Sequence, residues 1–316
     1  MPTVPISPAS EPSARTGAAL LLPEGGEAPL TRGLWHEAFL RVLASGSGRF
    51  GLLLILFFVA VALLAPWIAP FSPANNQWLS EVRPGVYPGP SAEHWLGIDT
   101  QGRDVLSRLI WGARHSLLIG VVSLLLGASV GLLLGFLAGA MGGWVDSVIM
   151  RLMDIMLAVP SLLFAIAVAA VLGQSLTSVM IAVAVTSVPI FARLLRGQML
   201  SQRDADYVVA ARSIGVKGHM IALRHILPNS VTPVIVQGTL FLATAIIEAA
   251  GLAFLGLSTA DPSTPEWGRM LTDAQNALAT APLLAILPGT AIVLSALGFT
   301  LLGEQLREAL DPKYRR

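Results

Sequence analysis

The stretch Asp206-Tyr-Val-Val-Ala-Ala-Arg-Ser-Ile-Gly215, followed closely by His225-Ile-Leu-Pro-Asn229, decides how this chain is read. It is a polar interruption between two long apolar segments. It carries too many charges to sit in lipid, yet Val208, Ala211 and Ile214 recur at helical spacing. Residues 204–214 are predicted as a short helix with Asp204 as N-cap and Asp206 at the positive end of the helix dipole. Ala210 and Ala211 leave room for another backbone to approach, and Gly215 supplies the stop. A second short helix is expected over about 217–226, closed by Pro228. Neither piece is long enough to cross a bilayer, so the pair lies along a membrane face. An amphipathic helix with one small-residue face fits a groove in a partner; the alternative is a plain membrane-surface linker.

Composition supports the membrane setting. Of 316 residues, 54% are hydrophobic and only 12% charged, and mean hydropathy is +0.71. A soluble domain of this size carries about 25% charged residues. The net charge of +1 offers no basic field for nucleic acid. Having no Cys, the chain has neither thiolate metal ligands nor a cysteine nucleophile. Residues 1–33, with Pro2, Pro5, Pro8, Pro12, Pro23 and Pro29 among small polar residues, read as a disordered tail. Ala18–Leu22 is too short for the apolar core of a signal peptide.

Six segments are long enough to cross as helices: 50–70, 116–140, 152–173, 176–197, 231–257 and 283–303. The fold class is therefore all-α and polytopic. Most Lys and Arg fall before the first span, in the 204–228 loop and at the C-terminus, which places both termini in the cytoplasm. Gly127, Gly131, Gly135 and Gly139 recur every fourth residue and predict close helix–helix packing. Gly102–Arg114 reads as a separate amphipathic helix capped by Asp99 or Thr100, lying in the outer interface or touching an external partner. Two outer loops, 71–98 and 258–282, carry Pro with Trp78, Tyr87, Trp95 and Trp267 and are either stiff covers or docking surfaces.

Glu248 lies inside the fifth span. A carboxylate at a helix centre costs on the order of 3 kcal/mol, so it faces protein or a water-filled path. It is either a path or gate residue or a packed structural one. Arg151 and Asp154 are spaced for a local helix pair. Pro160, Pro189 and Pro288 predict kinks. No G-x-x-x-x-G-K-[ST] phosphate loop occurs, so ATP is not bound by the standard means. His94 alone is a poor metal-ligand set.

With these residues in view, the chain resembles the permeases of ABC importers. Ala210-Ala211-x-x-x-Gly215 with Ile226-Leu227-Pro228 is similar to their signature loop. His94-Trp-Leu-Gly-Ile-Asp99, Gly102-Arg-Asp-Val-Leu-Ser-Arg108, Gly112-Ala-Arg114, Arg151-Leu-Met-Asp154, Glu248-Ala, Phe254-Leu-Gly-Leu257, Trp267-Gly-Arg269 and Leu310-Asp-Pro-Lys313 resemble the second, C-type permease of the dipeptide/oligopeptide/nickel family. The likeness covers residues 50–316. It implies a type I ABC importer permease fold in the bacterial inner membrane, a non-catalytic role, and peptide as cargo. It implies as partners a homologous permease, two ATPase subunits that use ATP and Mg, an extracytoplasmic substrate-binding protein and the bilayer; the chain itself binds no cofactor.

The same likeness divides the chain into a tail (1–33), a first span with outer loop and interfacial helix (34–115), a transmembrane domain (116–305) with coupling loop 204–228, and a C-terminal tail (306–316). In it Asp206, Tyr207, Ala210, Ala211, Arg212, Gly215, His225, Leu227 and Pro228 meet the ATPase. Glu248 belongs to the path or gate, and Trp95, Arg103, Arg108 and Trp267 belong to outer docking. The chain departs from the family where Val209 replaces a Glu before the two alanines and where His225 replaces an Ile, so Asp206 or Arg212 is expected to supply the polar contact. The competing class is an ion-gradient-driven transporter, against which stands the lack of an inverted repeat or a cluster of membrane acids.

Overall fold

The computed structural model describes residues 34–311 apart from 84, 260 and 262; the expected disordered tail, 1–33, lies outside the described residues. Helix α1 (Leu34–Ala44) is short and polar on one side. Ser45 then caps α2 (Gly46–Ile68), its hydroxyl accepting from Gly48 N at 3.0 Å. The next helix, α3, runs unbroken from Val105 to Met141 over 37 residues. At 1.5 Å per residue that is about 55 Å, well beyond the roughly 30 Å of a hydrocarbon core. The expected separate interfacial helix is thus the outer end of α3, because nothing between Gly112 and Ser116 stops a helix. Its cap is Asp104, whose Oδ2 accepts from Ser107 N at 2.7 Å, and not Asp99 or Thr100. The expected division at 115/116 falls inside this helix.

The expected third span is two helices, α4 (Gly143–Leu157) and α5 (Ser161–Leu172), bent by 92°. Pro160 has no N–H for the ladder and sterically disfavours helix in the residue before it, so the chain turns there. Arg151 does not pair with Asp154. Asp154 pairs with Arg193 and Asp146 with Arg196, both on α6 (Leu176–Gln202). Five described helices are long and apolar enough to cross a membrane, or six crossings if the bent pair counts as one.

After α6 come α7 (Asp206–Ser213), α8 (Gly218–Ile221), a π-helical turn (Ala222–Ile226) and α9 (Leu227–Ser230). The long helix α10 (Thr232–Phe254) follows, then α11 (Trp267–Ala274) and α12 (Leu283–Leu310). Helix α12 continues to Leu310, into the first part of the expected C-terminal tail, while 312–316 lie outside the described residues.

Glycine sets the closest packing. The predicted stripe on α3 lies directly on α6: a Cβ at Gly131 would sit 2.7 Å from Phe191 Cβ, and one at Gly135 would sit 2.5 Å from Ala192 O. Gly51 of α2 and Gly298 of α12 allow a similar approach. The main core, including Ile119, Phe191, Leu195 and Phe241, continues into Val208, Ile221 and Ile226 of the polar loop. Both ends of the described chain meet at this end of the bundle, where Arg41 Nη1 donates to Ala309 O at 3.4 Å. The opposite end is closed by residues 94–108 and α11.

Candidate functional site

The polar loop is anchored on one side and open on the other. In α7, Val208 and Ala211 are buried against the bundle, whereas Asp206, Tyr207, Val209, Ala210 and Arg212 are exposed. The predicted period therefore holds for Val208 and Ala211 but fails at Ile214, which is 81% exposed. Its backbone has already left the helix there, because Gly215 at φ +80° reverses the chain. Val216 N donates to Ala211 O at 3.1 Å and Gly215 N to Arg212 O at 3.0 Å, which satisfies the last carbonyls of α7. The helix begins at Asp206 with Ala205 as its N-cap, so Asp204 does not cap it. Tyr207 Oη donates to Gln202 Oε1 at 2.8 Å and ties α7 back to α6.

Pro228 does not close the second piece. It stands in the first turn of α9, where a missing N–H costs little, and the π-turn before it keeps the chain helical. Leu227 and His225 are half-buried and Pro228 is exposed. The result is a rigid ledge whose outward face presents Tyr207, Val209, Ala210, Arg212 and Ile214. A cavity of ≈ 140 Å³ opens behind it, lined by Gly139, Met199, Arg203, Arg212, Gly218 and Ile226.

Glu248 lies between α10 and α6 and is half-buried. Its Oε2 is 3.3 Å from Thr186 Oγ1. Toward the loop end of the bundle, a larger cavity of ≈ 340 Å³ separates α6, α10 and α12, lined among others by Leu194, Gln198, Gln237, Leu240 and Arg307.

At the opposite end the structure corrects three of the four expected docking residues. Arg108 is 0% exposed, and Arg103 and Trp267 are also buried. Arg103 Nη2 lies 2.9 Å from Asp273 Oδ2, and its Nε donates to Asp99 Oδ2 at 2.7 Å. Arg108 stands within 3.4 Å of Asp99 and 3.6 Å of Asp273, and Arg269 Nε donates to Asp273 Oδ1 at 3.1 Å. Trp267 fills a notch left by Gly112, donates from Nε1 to Leu109 O at 3.0 Å, and meets Phe58 edge-on. These side chains hold α3, the preceding loop and α11 together and cannot touch a soluble partner. Trp95, at 68% exposed, remains free to do so.

Two further buried groups stand at this end: His94, weighed from the sequence only as a metal ligand, and Glu266, which was not singled out. His94 Nδ1 is 3.0 Å from Asp104 Oδ1, under the Trp78 and Phe71 rings. Glu266 is buried with the Ser258 hydroxyl donating to it, and burial pushes its carboxyl up to about 7. The nearby opposite-sign residues Asp99 and Arg103 were visible as a motif, but their partner Asp273 is 170 residues from Arg103.

Comparison with known proteins agrees with this arrangement. Residues 131–316 match the model of the binding-protein-dependent transport system inner membrane component, and residues 33–83 match the N-terminal TM domain of oligopeptide transport permease C. The chain is 44% identical to the dipeptide transport system permease protein DppC of Alkalihalophilus pseudofirmus, covering 89% of this chain and 90% of that one. It is 45% identical to the glutathione transport system permease protein GsiD of Escherichia coli, covering 89% and 91%. An inward-facing structure of the MetNI methionine ABC transporter superposes with TM-score 0.52 at 17% identity, covering 65% of this chain and 96% of that one.

Proposed function

The chain belongs to the family of binding-protein-dependent transport system inner membrane components, and we propose that it is the peptide-conducting permease half of an ABC importer whose ATP is hydrolysed elsewhere. It is a multi-pass membrane protein with the fold of an ABC importer permease. The proposed setting is the bacterial inner membrane, with both termini in the cytoplasm. A homologous permease completes the path, two ATPase subunits supply ATP and Mg chemistry, and an extracytoplasmic binding protein delivers cargo. The chain itself is non-catalytic and holds no cofactor. Dipeptide or oligopeptide cargo follows from the names of the similar permeases.

The observation that carries the reading is the ledge of α7–α9. Val208, Ala211, Ile221 and Ile226 are rooted in the same core as α3, α6 and α10. A push on the exposed face of α7 is therefore transmitted to spans, because packed cores shift as units rather than deform. Asp206, Tyr207, Ala210, Arg212 and Gly215 form the part that an ATPase groove receives; Leu227 and Pro228 support it. Glu248 belongs to the path. In this reading Arg212 takes the polar contact that Val209 cannot make.

The test is Arg212→Glu in the reconstituted importer. The variant complex assembles, because Arg212 is exposed, but binding-protein-stimulated ATP hydrolysis falls by at least about tenfold, the equivalent of one charge-assisted contact. Full stimulation in the variant rejects the coupling role. Uptake that responds to an ionophore and ignores ATP rejects the importer itself.

A further inference from the structure

Helix α10 is apolar except for a few side chains, and three of them share a face. Gln237, Thr244 and Glu248 are separated by two turns and then one turn. Thr244 is exposed and Gln237 and Glu248 are partly exposed in the lone chain. Gln237 lines the ≈ 340 Å³ cavity together with Gln198 of α6, and Glu248 meets Thr186 of the same helix further along. A polar stripe about 16 Å long, from the rise per residue, thus runs along α10 from the loop-end cavity to Glu248.

Glu248 is poorly compensated within the chain. The Thr186 hydroxyl has one proton and already donates to Val183 O at 2.8 Å, so the 3.3 Å contact to Glu248 is at best shared. Among the described residues, no Lys, Arg or His forms an ion pair with Glu248. A carboxylate at this depth is costly unless a path supplies water or a cation.

We propose that Glu248 is the docking point for the positively charged amino terminus of a peptide in transit, with Thr244, Gln237 and Gln198 as its onward track. The inference rests on the peptide-importer reading above. An α-ammonium group is compact and offers three donors, which suits a carboxylate with unused lone pairs. The amides of Gln237 and Gln198 both donate and accept, and the Thr244 hydroxyl, which donates to Phe241 O at 2.9 Å, accepts, so the stripe matches peptide groups in any sequence without selecting side chains. An extended tripeptide is about 10 Å long, shorter than the stripe, so the contacts are made in succession. This accounts for a carboxylate kept in a span without an ion-pair partner among the described residues.

The experiment uses the complete transporter in nanodiscs without its binding protein, titrated with labelled trialanine and with N-acetyltrialanine. Wild type is expected to bind trialanine at least about tenfold more tightly, corresponding to one ammonium–carboxylate contact. Glu248→Gln brings trialanine down to the acetylated level and leaves N-acetyltrialanine unchanged; Glu248→Asp keeps the preference. Equal binding of the two probes by wild type, no trialanine binding, or a preference that survives in Glu248→Gln overturns the proposal. So does loss of both probes in Glu248→Gln and Glu248→Asp alike, which marks a structural carboxylate. Binding-protein-stimulated ATP hydrolysis by wild type separates the two levels. Where it is present without an amine preference, only the role of Glu248 falls; where it is absent, the importer reading falls first.

Discussion

Glu266 shows how much a single buried carboxyl can hold. It sits at the N-terminus of α11, and burial raises its pKa from 4.5 to about 7 against the opposing effects of the Ser258 hydroxyl and Arg269. Between those two values the folded chain keeps a proton that the unfolded chain has released, so stability falls as pH rises through this window. Below it both states are protonated and the contribution is complete; above it the penalty levels off at about 3 kcal/mol. Thermal melting in nanodiscs should accordingly drop between pH 5 and pH 8, and Glu266→Gln should flatten that part of the profile. An unchanged slope in the variant would assign the pH dependence to other groups. Arg103 and Arg108 carry the opposite lesson. Their segment was recognisable as special, but a charge in an outer loop reads as exposed until Asp273 is seen to reach it.

Among the elements, α3 and α6 were the most legible. A glycine every fourth residue fixes one face of a helix, and that face meets Val188, Phe191 and Ala192. Gly131→Leu would drive carbon into Phe191 Cβ and Val188 O, both 2.7 Å from the new Cβ. Such overpacking costs typically 1–3 kcal/mol, and a Leu side chain against backbone belongs at the upper end. A lower melting temperature in detergent checks it, with Gly197→Leu as the control, since a Cβ there meets nothing within 4 Å. The elbow between α4 and α5 was not legible. Pro160 announces a kink, but a right angle also requires somewhere for α4 to go. That place comes from Arg193 and Arg196 of α6, which pair with Asp154 and Asp146 and hold α4 across the bundle. The separate outer helix failed for the converse reason: a change from amphipathic to apolar pattern alters what surrounds a helix without ending it.

For the whole molecule, the two ends are built differently. One end carries the ledge, packed by apolar side chains and open on its outer face. The other is locked by buried charges linking Asp99, Arg103, Arg108, Arg269 and Asp273. Breaking one member of a buried pair typically costs 3–5 kcal/mol. Asp273→Asn should therefore destabilise the protein by an amount of that order, measured by denaturation in nanodiscs, whereas Glu93→Gln on the exposed loop should not. Adding Arg103→Leu to Asp273→Asn should cost less than the two single changes summed, because they remove the same contact. By itself the sequence determined the membrane setting, the glycine seam, the ledge and the family. Each of these follows from local composition or a short period, since lipid leaves the backbone no choice but helix. Only the tertiary structure decided which charges are buried, where the third crossing bends, and which side chains of the ledge point outward. Those depend on partners far away along the chain, and pairing across that distance leaves no period for a sequence to display.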